Sequence, residues 1–367
     1  MNNDLKYKIA LSMLPGIGGI LARNLVAYIG SIEGIFSESA KALTKVPGIG
    51  ELNARLIKNN TILPKAEKEM EYIDNNGIDV HFYTDTTYPR RLKSCIDAPL
   101  IIYTKGKMNL DAERVISIVG TRNSTGYGRT LVDTLCREFT ERDYKALIVS
   151  GLAYGIDIQA HRAALKYNLP TVGVIAHGLD ILYPAMHKET AKKMQENGGL
   201  ITDFPSATKI DPSNFIKRNR IIAGLSDATI VVESAKKGGA LITADIASSY
   251  NRDVFAYPGR SGDIYSKGCN QLIRNNGATL IEGIDDLEYF MGWEKTNKAD
   301  AVQSSLFIDL NTDEQKVVDL LKQKGELFID QIAAELKQPA SRVSAILLNL
   351  EFKNVLLSLP GKMYKLR

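Results

Sequence analysis

With 367 residues, 44% hydrophobic and 24% charged, the chain has the composition of a soluble globular protein large enough for two or three domains. A formal net charge of +4 is too small to mark a polycationic protein, so any anion-binding surface must come from local clustering of charge. Cys95, Cys136 and Cys269 are odd in number and lack a CxxC. His81, His161, His177 and His187 make no HxxxH or HExxH spacing, which argues against a disulfide frame, a zinc site or another metal centre.

The opening MNNDLKYKIALSM mixes charges with an apolar run too short for a signal segment or a membrane span, so a cytoplasmic protein without a membrane partner is expected. Residues 1–80 carry an internal echo. Leu14-Pro15-Gly16-Ile17-Gly18 precedes a helical segment at 20–29, and Val46-Pro47-Gly48-Ile49-Gly50 precedes one at 52–59. A Pro-Gly-apolar-Gly turn exposes amide groups at a helix start, which can hold a phosphate without reading bases. This resembles a tandem helix-hairpin-helix (SAM-like) module. Nine Lys/Arg balance nine Asp/Glu over residues 1–80, so a purely structural or protein-contact role is equally open.

Residues 81–112, with Tyr88-Pro89-Arg90-Arg91-Leu92 and Ala98-Pro99, read as an irregular bridge with one strand candidate at 100–103. From residue 114 the pattern alternates. Strands are expected at 115–119, 146–149, 171–176, 200–203, 229–232 and 254–257, with helices at 127–142, 158–167, 188–196, 215–225 and 240–250. Apolar strands joined by helices of this length imply an α/β domain: an extended Rossmann-like parallel sheet covered on both faces. It is expected to span 81–293, bridge included, with a polar linker at 294–305. Three helical patterns and a final Pro360-Gly361 hairpin then outline a winged-helix-like module over 306–367. Its recognition helix offers Ser341, Arg342, Ser344 and Asn349, a thin set for gripping duplex phosphates, so duplex binding and protein contact both stand as readings.

Several strands of the central domain end in glycine-rich loops. These are VGTRNSTGYG around Gly120, SGLAYGID around Gly151, AHGLD around Gly178 and KKGGALITA around Gly239. Lined up on one sheet edge they would form a groove of backbone donors, with Arg122, Lys236 and Lys237 supplying charge. A dinucleotide fits badly, since Arg122 stands where GxGxxG needs its second glycine. No GxxxxGK[ST] occurs, and Ser150 lies outside any GxSxG context. The segment FIKRNRIIAGL sets Lys217, Arg218, Asn219 and Arg220 at the start of an apolar helix. Cations there oppose the helix dipole, which points to a bound anion. Phe215 just before them suits stacking on a base or a hydrophobic staple.

In order along the chain, VGTR with Ser124 and Gly126, SGLAYGID, HGLDILYP, FIKRNRIIAGLS, GGALITA, Tyr257-Pro258-Gly259 and GCNQLI resemble the bacterial DNA-processing protein A family (DprA, also called Smf). Ile216 stands where that family's FPxRNR pattern has proline. The resemblance implies a non-catalytic homodimer that binds single-stranded DNA in natural transformation. Such a protein protects incoming strands, displaces single-strand-binding protein and helps load the RecA recombinase, with no cofactor. It further implies that Arg122 pairs with phosphate, that Lys217 and Arg218 line the groove, and that Asn219, Ser150 and the amides of Gly151 and Gly239 donate hydrogen bonds. Ser124, Gly126, Phe215 and Thr243 complete the implied DNA-binding set.

Two other readings compete. Related nucleotide hydrolases of the lysine-decarboxylase-like group carry a PGGxGTxxE loop, but KKGGALITAD lacks both the GT step and the glutamate. A small-ligand sensor is separable by salt, because a polyanion site loses affinity steeply as ionic strength rises.

Overall fold

A computed structural model describes residues 3–59, 61–293, 310–353 and 355–366; the expected linker at 294–305 lies outside the described residues. Met1–Tyr250 with Val254–Leu280 form one unit, and Ile281–Arg367 with Asn251–Asp253 form another. Among the described residues no helix is long and apolar enough to cross a membrane.

In the first unit the described strands are β1 (Asp79–Phe82), β2 (Ile101–Lys105), β3 (Val115–Val119), β4 (Leu147–Ser150), β5 (Thr171–Val174), β6 (Gly198–Thr202), β7 (Ala228–Val231), β8 (Asp253–Ala256) and β9 (Thr279–Leu280). They form one sheet in the order β1-β2-β6-β5-β4-β3-β7-β8-β9. Strands β6, β5, β4, β3 and β7 run parallel to their neighbours, whereas β2 runs antiparallel to β6 and β1 antiparallel to β2. The central strands are continuous apolar runs because both faces are covered. Val115, Val119, Val149 and Val174 pack with Ile221, Ile222 and Leu225 of the helix Pro212–Leu225 and with Ala240 and Ala244 of the helix Gly239–Ser249. Ile116 and Ile118, on the opposite face of β3, are fully buried as well.

The bridge departs from its expected irregularity. Its segments β1 and β2 pair in register from Asp79 with Thr104 to Phe82 with Ile101 and extend the sheet past β6. β1 has little alternation for a sequence reading to detect, its burial rising only at Phe82. Through this hairpin the helical module joins the sheet: Ile9, Leu11, Leu25 and Met70 share one apolar cluster with Phe82, Leu100, Ile101 and Tyr103. The two sequence echoes are also structural echoes. Ile17 N donates to Leu14 O and Ile49 N to Val46 O, with Gly16 at φ 76° and Gly48 at φ 86°. Each is a proline-led turn whose third residue needs a positive φ, which glycine adopts without a Cβ clash. Gly18 and Gly50 then cap the helices Gly19–Ile29 and Glu51–Lys58.

In the second unit the helices Thr312–Lys324, Ile329–Leu336 and Ala340–Phe352 accompany a sheet of β10 (Leu327–Phe328), β11 (Leu356–Leu359) and β12 (Met363–Leu366) in the order β10-β12-β11, a winged helix. Asn311 accepts from the amides of Asp313 and Glu314, and Glu314 accepts from the Asn311 amide at 2.8 Å, a capping box. Lys353 Nζ lies 2.7 Å from the same carboxylate, and this contact, then the Asn311 amide, holds the Glu314 carboxyl below its ordinary range. A depressed folded-state pKa stabilises above the unfolded value and loses that contribution as pH falls through the folded one. Glu314→Gln is therefore expected to speed hydrogen exchange of the Thr312–Lys324 amides in the full chain at neutral pH, with the difference shrinking in acid. Protection equal to wild type at neutral pH would show that the pair contributes nothing.

Candidate nucleic-acid interface

From β3 the chain builds outward through β4, β5 and β6, then returns to place β7 on the other side of β3. Where strand order reverses in this way, the loops leaving the two neighbouring strands diverge and open a crevice at their carboxyl ends. Here those loops are residues 120–125 after β3 and residues 232–238 after β7.

The first loop is pinned by the second. Thr121 N donates to the Glu233 carbonyl at 2.7 Å, and Thr125 donates to the Glu233 carboxylate through its amide at 2.9 Å and its hydroxyl at 2.5 Å. Thr125 Oγ1 also accepts from Gly128 N and caps the helix Gly126–Glu141. Thr121 O accepts the amide of Ile156, the first residue of the helix Ile156–Lys166. Held at these points, the loop carries Arg122 at its exposed tip, the guanidinium 5.5 Å from the centre of the Phe215 ring.

The crevice holds a cleft of about 380 Å³. Arg122 and Asn123 line one wall and Phe215 and Asn219 another, while Lys237, Gly238 and Gly239 close it at the start of a helix and Thr243 lies deeper. Tyr183 meets Phe215 edge to face at 6.1 Å. Arg218 forms part of the floor, with only 4% of its surface exposed. Its Nη1 donates to Val174 O at 2.6 Å, while its Nε has no hydrogen-bond partner among the described residues. Burial lowers its pKa to about 10, against the favourable field of Asp157, so it stays charged at neutral pH. Burial likewise pushes the Asp157 carboxyl up, opposed first by Arg218. Both side chains crowd over Gly151: a Cβ there would fall 2.0 Å from Arg218 Nη1 and 2.4 Å from Asp157 Oδ2.

The structure thus brings Arg122, Phe215, Asn219, Gly239 and Thr243 together around one cleft and separates others from it. Ser150 is fully buried, donates to Ile118 O at 2.6 Å beside Asp157, and does not itself line the cleft. Gly151 is buried, with the Asp157 and Arg218 side chains packed against its Cα, and it does not line the cleft. Lys217 is exposed beside a neighbouring cavity shared with Gly18, Gly19 and Arg220. Ser124 gives its carbonyl to Arg129, and Gly126 lines a groove between helices.

The cationic helix also starts earlier than its sequence suggested. Asp211 caps it and Pro212 is its first residue, so Phe215 lies inside the helix and Lys217, Arg218 and Arg220 lie beyond the first turn, where the terminal field has faded. A proline at 216 would leave Pro212 O without its intrahelical donor; Ile216 restores the amide. Glu233, which orders the Arg122 loop, was missed. Its signal was an acid directly after an apolar strand run.

The pattern described as DNA recombination-mediator protein A matches residues 79–292, the DprA winged helix domain matches 305–362, and a SAM-like helix-hairpin-helix tandem matches 8–59. The chain is 38% identical over 240 residues to DNA processing protein DprA of Bacillus subtilis (strain 168), covering 65% of this chain and 80% of that protein. It is 33% identical over 291 residues to Protein Smf of Escherichia coli (strain K12), covering 76% and 75%. Among solved structures, DNA processing protein A from Streptococcus pneumoniae superposes with a TM-score of 0.65 at 27% identity, covering 77% of this chain and 97% of that one. DNA processing protein A from Helicobacter pylori, described for its unique single-stranded DNA binding mode, superposes at 0.53 with 27% identity, covering 59% and 96%. With a family pattern spanning more than half its length and the fold in agreement, this chain belongs to the DNA recombination-mediator protein A family.

Proposed function

We propose that the cleft binds single-stranded DNA by its phosphodiester backbone. The observation that carries this reading is the convergence, at the switch point of the sheet, of the exposed Arg122 guanidinium, Lys237, Asn219 and the start of the helix Gly239–Ser249 around the Phe215 ring. Fixed donors with a few cations grip phosphate without a base code, and an aromatic face stacks on any base. The cleft volume suits a segment of one strand. The acids nearest the cleft have internal tasks, Glu233 in ordering the Arg122 loop and Asp157 in facing Arg218, which favours binding over catalysis. Family membership supports the wider role: a cytoplasmic homodimer of natural transformation that protects incoming strands, displaces single-strand-binding protein and helps load RecA. The Helicobacter pylori relative supports the choice of single strands.

Fluorescence anisotropy with labelled oligothymidine, mixed-sequence single strands and a matched duplex tests the reading. The wild type should prefer single strands and lose affinity steeply with salt. Arg122→Glu combined with Lys237→Glu, both on residues that line the cleft, should weaken binding at least tenfold for every sequence alike, because the contacts are to backbone. Unchanged binding, or a loss confined to particular sequences, would overturn the assignment. A salt-independent affinity would point to a small ligand instead.

A further inference from the structure

On the far side of the Arg122 loop the helices Gly126–Glu141 and Ile156–Lys166 bound a groove of about 550 Å³. Its walls are two helical stripes. Gly126, Arg129, Thr130 and Asp133 follow the spacing i, i+3, i+4, i+7 on one helix, and Gln159, Arg162, Ala163 and Lys166 repeat it on the other. Each stripe rises about 10 Å along its helix.

The charges in this groove are unequally committed. Lys166 Nζ and the Tyr167 hydroxyl both donate to Asp133 at 2.8 Å, so the acid is answered locally. Arg129 uses Nη1 on Ser124 O at 2.7 Å. Arg162 is exposed and has no hydrogen-bond or ion-pair partner among the described residues. The groove therefore presents two guanidinium groups with donors to spare. A guanidinium fork matches phosphate oxygens in pairs, and Arg129 stands near the positive end of its helix, where an anion is favoured and a cation is not.

The groove meets the cleft at one loop. Ser124, whose carbonyl holds Arg129, is two residues from Arg122, and Gly126 opens the groove where the loop ends. We infer that this groove is a second phosphate track for the same single strand, entered by the backbone as it crosses the loop from Arg122. The inference rests on the single-strand reading of the cleft. The cleft holds one short segment, and the groove lengthens the contact with two further phosphates.

The test uses the full chain and two labelled oligothymidines, one short enough for the cleft alone and one several times longer. Arg129→Gln with Arg162→Gln should bind the short strand like the wild type and the long strand about fivefold to tenfold more weakly. Its log-log salt slope on the long strand should be shallower by about 1.4, at roughly 0.7 per phosphate contact for single strands. Arg162→Gln alone, which leaves the Ser124 contact in place, should show the same length-dependent loss in smaller measure. Equal loss on both strands, or no loss on either, overturns the second track. Arg122→Ala keeps the two failures apart. If it weakens both strands while the arginine pair has no length-dependent effect, only the track falls; if it weakens neither, the reading of the cleft falls with it.

Discussion

Arg218→Met is expected to destabilise the protein by about 3–5 kcal/mol at neutral pH, and by less in mild acid. The arginine is a buried cation on the floor of the cleft, bonded to Val174 O and set against Asp157. Methionine fills much of its volume but leaves a buried carboxylate without the charge that opposes its desolvation. The pH dependence follows from Asp157, whose folded-state pKa is raised by burial. Ionising such a group costs stability at pH above its unfolded value, and the cost is relieved as pH falls towards the folded pKa and the group takes up a proton. Without Arg218 that pKa rises further, so relief begins at higher pH and the gap to wild type narrows over a range running from neutral pH into mild acid. Denaturant titrations across that range measure the gap, and Asp157→Asn added to Arg218→Met should recover part of it. A loss that does not change with pH would assign the penalty to the Val174 contact and packing. Charge reversal at 218 would likewise unfold the floor, and weak DNA binding by such a variant would report folding.

Gly155→Ala is the second large effect expected. Gly155 sits at φ 75° and ψ −123°, and a Cβ there would fall 2.1 Å from Thr121 O and 2.5 Å from the Arg122 carbonyl carbon. The obstruction is backbone, so no rotamer relieves it, and the conformation is one that side chains avoid. The variant should lose about 3 kcal/mol or more, combining strained backbone with overpacking. It should also bind single strands at least tenfold more weakly, because the Arg122 loop must move to make room. Thermal melts with anisotropy on the folded fraction measure both. Wild-type affinity in a destabilised variant would mean that the position of the loop does not govern binding.

Much of this arrangement was legible in the amino acids. The β-branched run of β3, the paired Pro-Gly turns and the glycine-rich strand ends led to the sheet, the hairpins and the cleft, and Arg122, Phe215, Asn219 and Gly239 meet there. What was not legible depends on direction. Successive helical residues turn by about 100°, and Arg218 stands at i to Ile221, Ile222 and Leu225 at i+3, i+4 and i+7, so it is carried inward with the apolar face while Lys217 is not; its charge, grouped with its neighbours', masked that register. Ser150 next to a glycine reads the same whether its hydroxyl faces a ligand or Ile118 O. The helix start, in contrast, was written in Asp211-Pro212, a cap followed by a first-turn proline that the apolar pattern at 215–225 obscured.

The pairing of β3 with β7 joins residues more than a hundred positions apart: Ile116 lies opposite Ala228 and Thr121 bonds Glu233. During synthesis at about 5–20 residues per second, the helical hairpins emerge and find their local contacts long before β7 leaves the ribosome. The Arg122 loop lacks its three Glu233 contacts until β7 and Glu233 are made, and the closing side of the cleft arrives only with Lys237 to Thr243. The cleft proposed to hold nucleic acid is thus completed late in the growing chain. A nascent protein surrounded by RNA completes its hairpins before it owns the site that could hold a strand.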